Sequence, residues 1–271
     1  MKEFRDARRF RHVRIVRKAM IATIEALRPA RAISFAGLRP DADAPWGQTP
    51  RRMLDWAATS GARAVVLDAT SPGFRPRELD QSARRDIVAV LRRAGIECRG
   101  LDAFIPPSHF TDPSNVDRAV SALVQSMDMA AEISRLTSQP VPVCTVIAKD
   151  AGSDVIRRLL DASHRTGVAL ADCAWPMREQ RPGLEIGIDP AAILVTGSDP
   201  CDAVLKADRI PTVARLSDLS ANGRCEPGEG GLDILRYEVA LVTRGYAGCV
   251  VVDLRGVHRQ STMVARCIES Q

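Results

Sequence analysis

Aromatic side chains make up only 4% of the 271 residues, so any core must be aliphatic. No CxxC pair occurs, and the seven cysteines (98, 144, 173, 201, 225, 249, 267) are scattered. That spacing argues against a zinc ribbon or a disulfide framework and fits free thiols in a reducing compartment, so a cytoplasmic location is expected. No run of about 18 apolar residues exists, which removes the signature of a membrane-spanning helix. Neither GxGxxG nor GxxxxGK[ST] appears, so nucleotide binding of the Rossmann or P-loop kind has no support. Lysine is rare, with four against 34 arginines, a bias that weakens any reading of arginine abundance as phosphate recognition. What is present is 45% hydrophobic content, enough to exclude a disordered chain.

The net charge of +5 is unevenly placed. Residues 1–31 hold ten bases and three acids, while the remaining 240 hold 28 bases and 30 acids. Residues 1–30 therefore read as a basic helical arm, with Val13, Val16, Met20, Ile24 and Leu27 at helical spacing and Pro29 as a stop. A helix packed on the body, an arm for nucleic acid or anionic lipid, and a targeting peptide are the readings it allows. Arg17 and Lys18 interrupt the apolar run, so the core of a secretory signal is missing.

From residue 31 to 271, short β-rich runs alternate with amphipathic ones. Strands are expected over 32–36, 64–68, 96–101, 141–148, 168–172, 184–188, 212–216 and 249–254. Helices are expected between most of them, among them 50–60, 77–93, 153–164, 200–207, 232–243 and 257–268. Asp112-Pro113 and Asp189-Pro190 read as an N-cap followed by proline at the first helical position. Eight such units in about 240 residues predict a (β/α)8 TIM barrel, with a doubly wound open sheet as the alternative. The join between the fifth and sixth strands, residues 173–183, scarcely has room for a helix.

A barrel of this kind places its site at the C-terminal ends of its strands. Those ends carry Asp68, Asp102, Lys149-Asp150, Asp172, Asp189, Arg215, Asp218 and Asp253, an acidic rim with one arginine in it. Aspartate also opens loops for turn and capping reasons, so no single one of them is diagnostic. Of the histidines 12, 109, 164 and 258, His109 follows the third strand and is placed to face the mouth, or is a plain loop histidine. Cys173 reads as a buried inert thiol. Trp46 and Trp175 read as loop residues covering the core edge or walling a ligand.

Several motifs occur in order: Gly61-Ala62-Arg63-Ala64-Val65-Val66-Leu67-Asp68, then Ile188-Asp189-Pro190-Ala191 and Asp199-Pro200-Cys201-Asp202-Ala203. Arg215-Leu216-Ser217-Asp218, Pro227-Gly228-Glu229-Gly230, Gly245-Tyr246-Ala247-Gly248 and Val251-Val252-Asp253 follow. Together they resemble the sugar phosphate isomerase/epimerase family, whose members share the xylose isomerase-like TIM barrel. The resemblance implies a small sugar or polyol substrate, a divalent metal such as Mn, Mg or Zn, and proton transfer next to a carbonyl by a carboxylate. Carried over, the four metal-binding positions (Glu, Asp, His, Glu) fall on Asp172, Asp189, Arg215 and Asp253; the histidine that often follows the metal aspartate falls on Ala192.

The resemblance thus implies Asp172 and Asp253 as acid/base residues and Asp189 as a metal ligand. Arg215, His109 and Asp68 are the substrate-binding candidates. Arginine has no lone pair to give a cation, so Arg215 is expected to supply the positive charge in its place. The chain then is either an isomerase or epimerase, with or without a metal, or a non-catalytic barrel that binds a ligand or a protein partner. The histidine-rich three-zinc cluster of the related apurinic endonucleases cannot be assembled from four scattered histidines, so DNA repair is not expected and the barrel itself points to no nucleic-acid partner. A homo-oligomer is compatible with the sequence.

Overall fold

The computed structural model describes residues 28–39, 49–178 and 182–269. The basic arm expected before Arg28, and Trp46, lie outside these residues.

Eight parallel strands close into a barrel. They are β1 (Arg31–Ser34), β2 (Ala64–Asp68), β3 (Glu97–Asp102), β4 (Val143–Thr145), β5 (Leu170–Asp172), β6 (Leu184–Ile188) and β7 (Val213–Leu216), with β10 (Val250–Val252) closing against β1. Between β7 and β10 the chain inserts a two-stranded antiparallel hairpin, β8 (Asp218–Ser220) and β9 (Gly223–Cys225). The TIM-barrel expectation holds, and the open sheet is excluded by the β1–β10 pairing.

The outer layer is α1 (Pro50–Thr59), α2 (Gln81–Ala94), α3 (Val116–Thr137), α4 (Ser153–Thr166), the short α5 (Pro190–Leu194) and α6 (Pro200–Lys206), α7 (Ile234–Thr243) and α8 (Gln260–Glu269). Local chemistry fixes several ends. Asp80 accepts a hydrogen bond from the Ala83 amide at the start of α2, and Gly95 takes a left-handed φ of 67° to end it. The Asp112-Pro113 signal is corrected: α3 begins at Val116, because Asp112 folds a turn by accepting from the Ser114 amide. Among the described residues, none between β5 and β6 is helical.

Strand periodicity divides the core in two. Ile33, Val65, Leu67, Leu101, Leu216, Val250 and Val252 pack outward beneath the helices, in the larger cluster. Ala32, Val66, Cys144, Ala171, Val213 and Val251 form the smaller cluster that fills the barrel. Two residues further along their strands, the side chains facing inward are Ser34, Asp68, Arg215 and Asp253. Small residues at the lower level leave room for these polar groups above.

Candidate functional site

At the C-terminal mouth the inward positions assemble into an ion cluster. Arg215 is its floor, with no solvent-exposed side-chain surface. Its Nη1 donates to Asp102 Oδ1 at 2.7 Å and its Nη2 to Asp102 Oδ2 at 3.1 Å, a bidentate pair. Its Nε donates to Asp253 Oδ2 at 2.9 Å, and Nη2 also reaches Ser34 Oγ at 3.2 Å. Ser34 in turn donates to Asp102 Oδ2 at 2.5 Å.

Two further arginines cap the cluster. From the last barrel strand's loop, Arg255 Nε donates to Asp253 Oδ1 at 3.0 Å, and its Nη2 donates to Asp189 Oδ2 at 2.8 Å. From the hairpin, Arg224 Nη1 donates to Asp253 Oδ2 at 2.9 Å and Nη2 donates to Asp189 Oδ2. Phe104, after β3, packs beneath Arg255, whose guanidinium carbon lies 3.6 Å from the ring centroid. Three carboxylates thus face three guanidiniums, and the cluster is internally neutral.

Asp189 shows how tertiary contacts redirect a local signal. It occupies the N-cap position of α5, as Asp189-Pro190 suggested, yet its carboxylate makes no capping bond. Ser217 Oγ receives the Ala191 amide at 3.0 Å instead, and donates its own proton to Asp189 Oδ1 at 2.6 Å. The Asp189 carboxylate is thereby turned toward the arginines.

Electrostatics differ among the carboxylates. Burial works against the charged form of Asp253, but Arg215 and Arg255 outweigh it and hold the group far below the usual carboxylate range. Burial pushes Asp102 up, with Arg215 and Ser34 pulling the other way. Asp172, at the end of β5, is also pushed up by burial, partly offset by the Ile147 and Ala174 amides, each donating to Oδ1 at 3.0 Å. Its Oδ2 accepts from Arg178 Nε at 3.3 Å.

Of the sequence candidates, Asp189, Arg215 and Asp253 meet in one cluster. Asp172 stands beside β6 with its own arginine, Arg178. Asp68 is committed to its loop, accepting from Thr70 N at 2.8 Å, Thr70 Oγ1 at 2.6 Å and Ser71 Oγ at 2.7 Å. It lines a cleft of about 480 Å³ at the mouth, together with Arg255. His109 lies half-buried on a 3-10 turn (Pro107–Phe110) near Asp112, with no hydrogen bond to the cluster. Cys173 is buried, its Sγ 3.3 Å from that of Cys144. Trp175 donates its indole N–H to Thr196. Residues that sequence reading passed over are Ser34, Arg178, Arg224 and Arg255. For Arg255 a signal existed: it stands two residues after Asp253 at a strand end.

The donor set does not fit a divalent cation. The oxygens of Asp189 and Asp253 already accept from guanidiniums and from Ser217, Arg178 holds Asp172, and Arg215 cannot ligate a cation. Among the described residues, no group of three or more His, Cys, Asp or Glu side chains is arranged to hold a metal ion.

No family model and no curated protein sequence matches this chain. Solved structures do. A xylose isomerase domain protein from Planctomyces limnophilus superposes with a TM-score of 0.66 at 17% identity, covering 89% of this chain and 94% of that one. The IOLI protein with a bound zinc atom gives 0.64 at 16%, covering 89% and 94%. The 3-keto-D-glucoside 4-epimerase of E. coli, in its apo form, gives 0.64 at 12%, covering 89% and 98%. With its closed eight-stranded barrel, the chain has the xylose isomerase-like TIM-barrel fold.

Proposed function

We propose that this barrel processes a small sugar or polyol by carboxylate-mediated proton transfer next to a carbonyl, with guanidinium charge where a metal-dependent relative places its cation. The observation that carries this reading is Arg215, buried at the axis and shared between Asp102 and Asp253. In such chemistry the negative charge that develops on the substrate oxygen needs a fixed positive partner. Arg255 is the cluster member that reaches the cleft, and its side chain retains 23% exposure. It is the donor assigned to that oxygen. Asp172 is the acid/base residue assigned here: it ends β5 at the mouth, outside the three-arginine cluster, and burial raises its proton affinity. Asp253 is reassigned as an anchor, since a carboxylate held so low and sharing its oxygens with three arginines is a weak base. Asp189 becomes the second anchor rather than a metal ligand.

One observation favours a second reading, a barrel that binds sugar-like ligands without turning them over: Asp172, too, already has an arginine partner. The test is deuterium exchange. A panel of aldoses and ketoses is incubated with the protein in D2O, with and without chelator, and followed by proton NMR. Loss of the proton next to the carbonyl, unaffected by chelator and abolished by Asp172→Asn, is the expected result. Ligand-induced thermal shifts with no exchange on any sugar would favour the binding reading.

A further inference from the structure

A second cavity, of about 490 Å³, opens between the loops after β2 and β3 and the outer-layer helix α3. That volume lies in the range of small-molecule sites. Small side chains make the room. Ala69 and Ala103 follow their strands, and Ser121, Ala122 and Ser126 stand on one side of α3. Pro76, Phe104 and Ile105 supply apolar surface. Polar groups on the lining largely satisfy one another. Ser126 Oγ donates to Ala122 O at 2.8 Å, Gln125 Nε2 to Ser121 Oγ at 2.9 Å, and Thr70 Oγ1 to Asp68 Oδ1 at 2.6 Å. Such a wall suits an apolar body better than a ring of hydroxyls.

The rim carries charge of one sign in excess. Three arginines line the cavity, Arg75, Arg77 and Arg118, against one carboxylate, Asp117. Asp117 is taken by Arg158 of α4, whose Nη1 donates to Oδ1 at 2.8 Å. Arg75 is matched by Glu78, accepting from Nη1 at 3.1 Å. Glu78 also feels Arg77, so one carboxylate serves two guanidiniums. Arg118 donates only to the neutral Asn115 side chain, and neither Arg77 nor Arg118 holds an ion pair among the described residues. Both are exposed, at the opening. The walls are tied together by Arg84. Its Nη2 donates to Pro76 O at 3.1 Å, in the 3-10 turn Pro76–Glu78 that carries Arg77, and its Nη1 to Glu132 of α3 at 3.1 Å.

We infer that this cavity is a binding site for a small apolar carboxylate, its ring or alkyl body between Phe104, Ile105 and α3 and its carboxylate on Arg77 and Arg118. Guanidinium and carboxylate match as fork and fork. The site shares only Thr70 and Phe104 with the cleft at the mouth, uses none of the cluster arginines, and does not rest on the proton-transfer reading.

Calorimetric titration at low salt compares 3-phenylpropionate, its neutral isostere 3-phenylpropanamide, and acetate. The acid is expected to bind about tenfold more tightly than the amide, the gain typical of a charge-assisted hydrogen bond. Acetate, which lacks the apolar body, should bind more weakly than either. Arg77→Ala and Arg118→Ala should each reduce the preference for the acid, and together bring acid and amide level. Ala122→Trp, at an exposed position on the cavity wall, should abolish binding of both, with circular dichroism showing that the variant is folded. Ser121→Trp is the second filling variant should the first not fold. Equal binding of acid and amide, no binding of any probe, a preference that survives the double arginine variant, or binding that survives a folded filling variant would overturn the site.

Discussion

Removing the Arg215 side chain leaves Asp102 buried with Ser34 but without its cation, while Asp253 keeps Arg224 and Arg255. Breaking a buried ion pair from one side costs about 3–5 kcal/mol, so Arg215→Met should lower the unfolding free energy by that order in urea titrations. Arg215→Lys should recover only part, because one ammonium cannot reproduce a guanidinium that donates to Asp102, Asp253 and Ser34 from three nitrogens. Asp253 sets a pH dependence. Its folded-state proton affinity is lowered, so its contribution is present above the unfolded carboxylate value of about 4 and is lost as pH falls below it. Stability measured by denaturant from pH 6 downward should decline on that acid limb, and Asp253→Asn should flatten it. An unchanged limb in the variant would remove Asp253 as the cause.

Loops at the mouth owe their shape to single buried side chains. Asp218 is the clearest case: its carboxylate accepts from the amides of Leu219, Gly228, Gly230 and Leu232, at 2.8 to 2.9 Å. It thereby ties the β8–β9 hairpin to the turn that precedes α7. Asp218→Ala should leave the barrel folded while amide hydrogen exchange at Gly228, Gly230 and Leu232 accelerates; protection equal to the parent's would show that the turn holds without it. Because Arg224 rides on that hairpin, the same variant should loosen its pairing with Asp189 and Asp253. The equivalent test two strands around the barrel, after β1, is Gly37→Ala. Its left-handed φ and the 2.7 Å approach to Arg255 Cα predict a loss of more than about 1 kcal/mol, read as a lower unfolding midpoint.

For the whole molecule, the closed barrel and its neutral internal cluster predict indifference to chelators. Thermal unfolding with and without EDTA should superpose, since three guanidiniums already neutralise the three carboxylates. A midpoint that drops on chelation, and is restored by Mn or Zn, would mean the arginines yield to a cation. The buried part of the cluster should also resist salt, whose screening acts mainly on exposed pairs.

Alternation of apolar runs, turn residues and helix-compatible spacing carried enough information for the eight barrel strands, the helices around them and the closed architecture. Strand 184–188 agrees with its expected bounds, while 141–148 contracts to Val143–Thr145, because an apolar run does not reveal where its ladder ends. The hairpin from Asp218 to Cys225 went unread, since three-residue strands show no periodicity. Strand ends also pointed to Asp172, Asp189, Arg215 and Asp253, because a period of two places the residue after a buried run at the mouth. Partners were another matter. Arg215 meets Asp102 across 113 positions and Ser34 across 181, and neither distance leaves a local trace. Sequence determined which barrel strands exist and which charges their own ends carry to the mouth. Only barrel closure decided which charges meet, because neutralising buried carboxylates depends on a few ångströms of three-dimensional separation rather than on order along the chain.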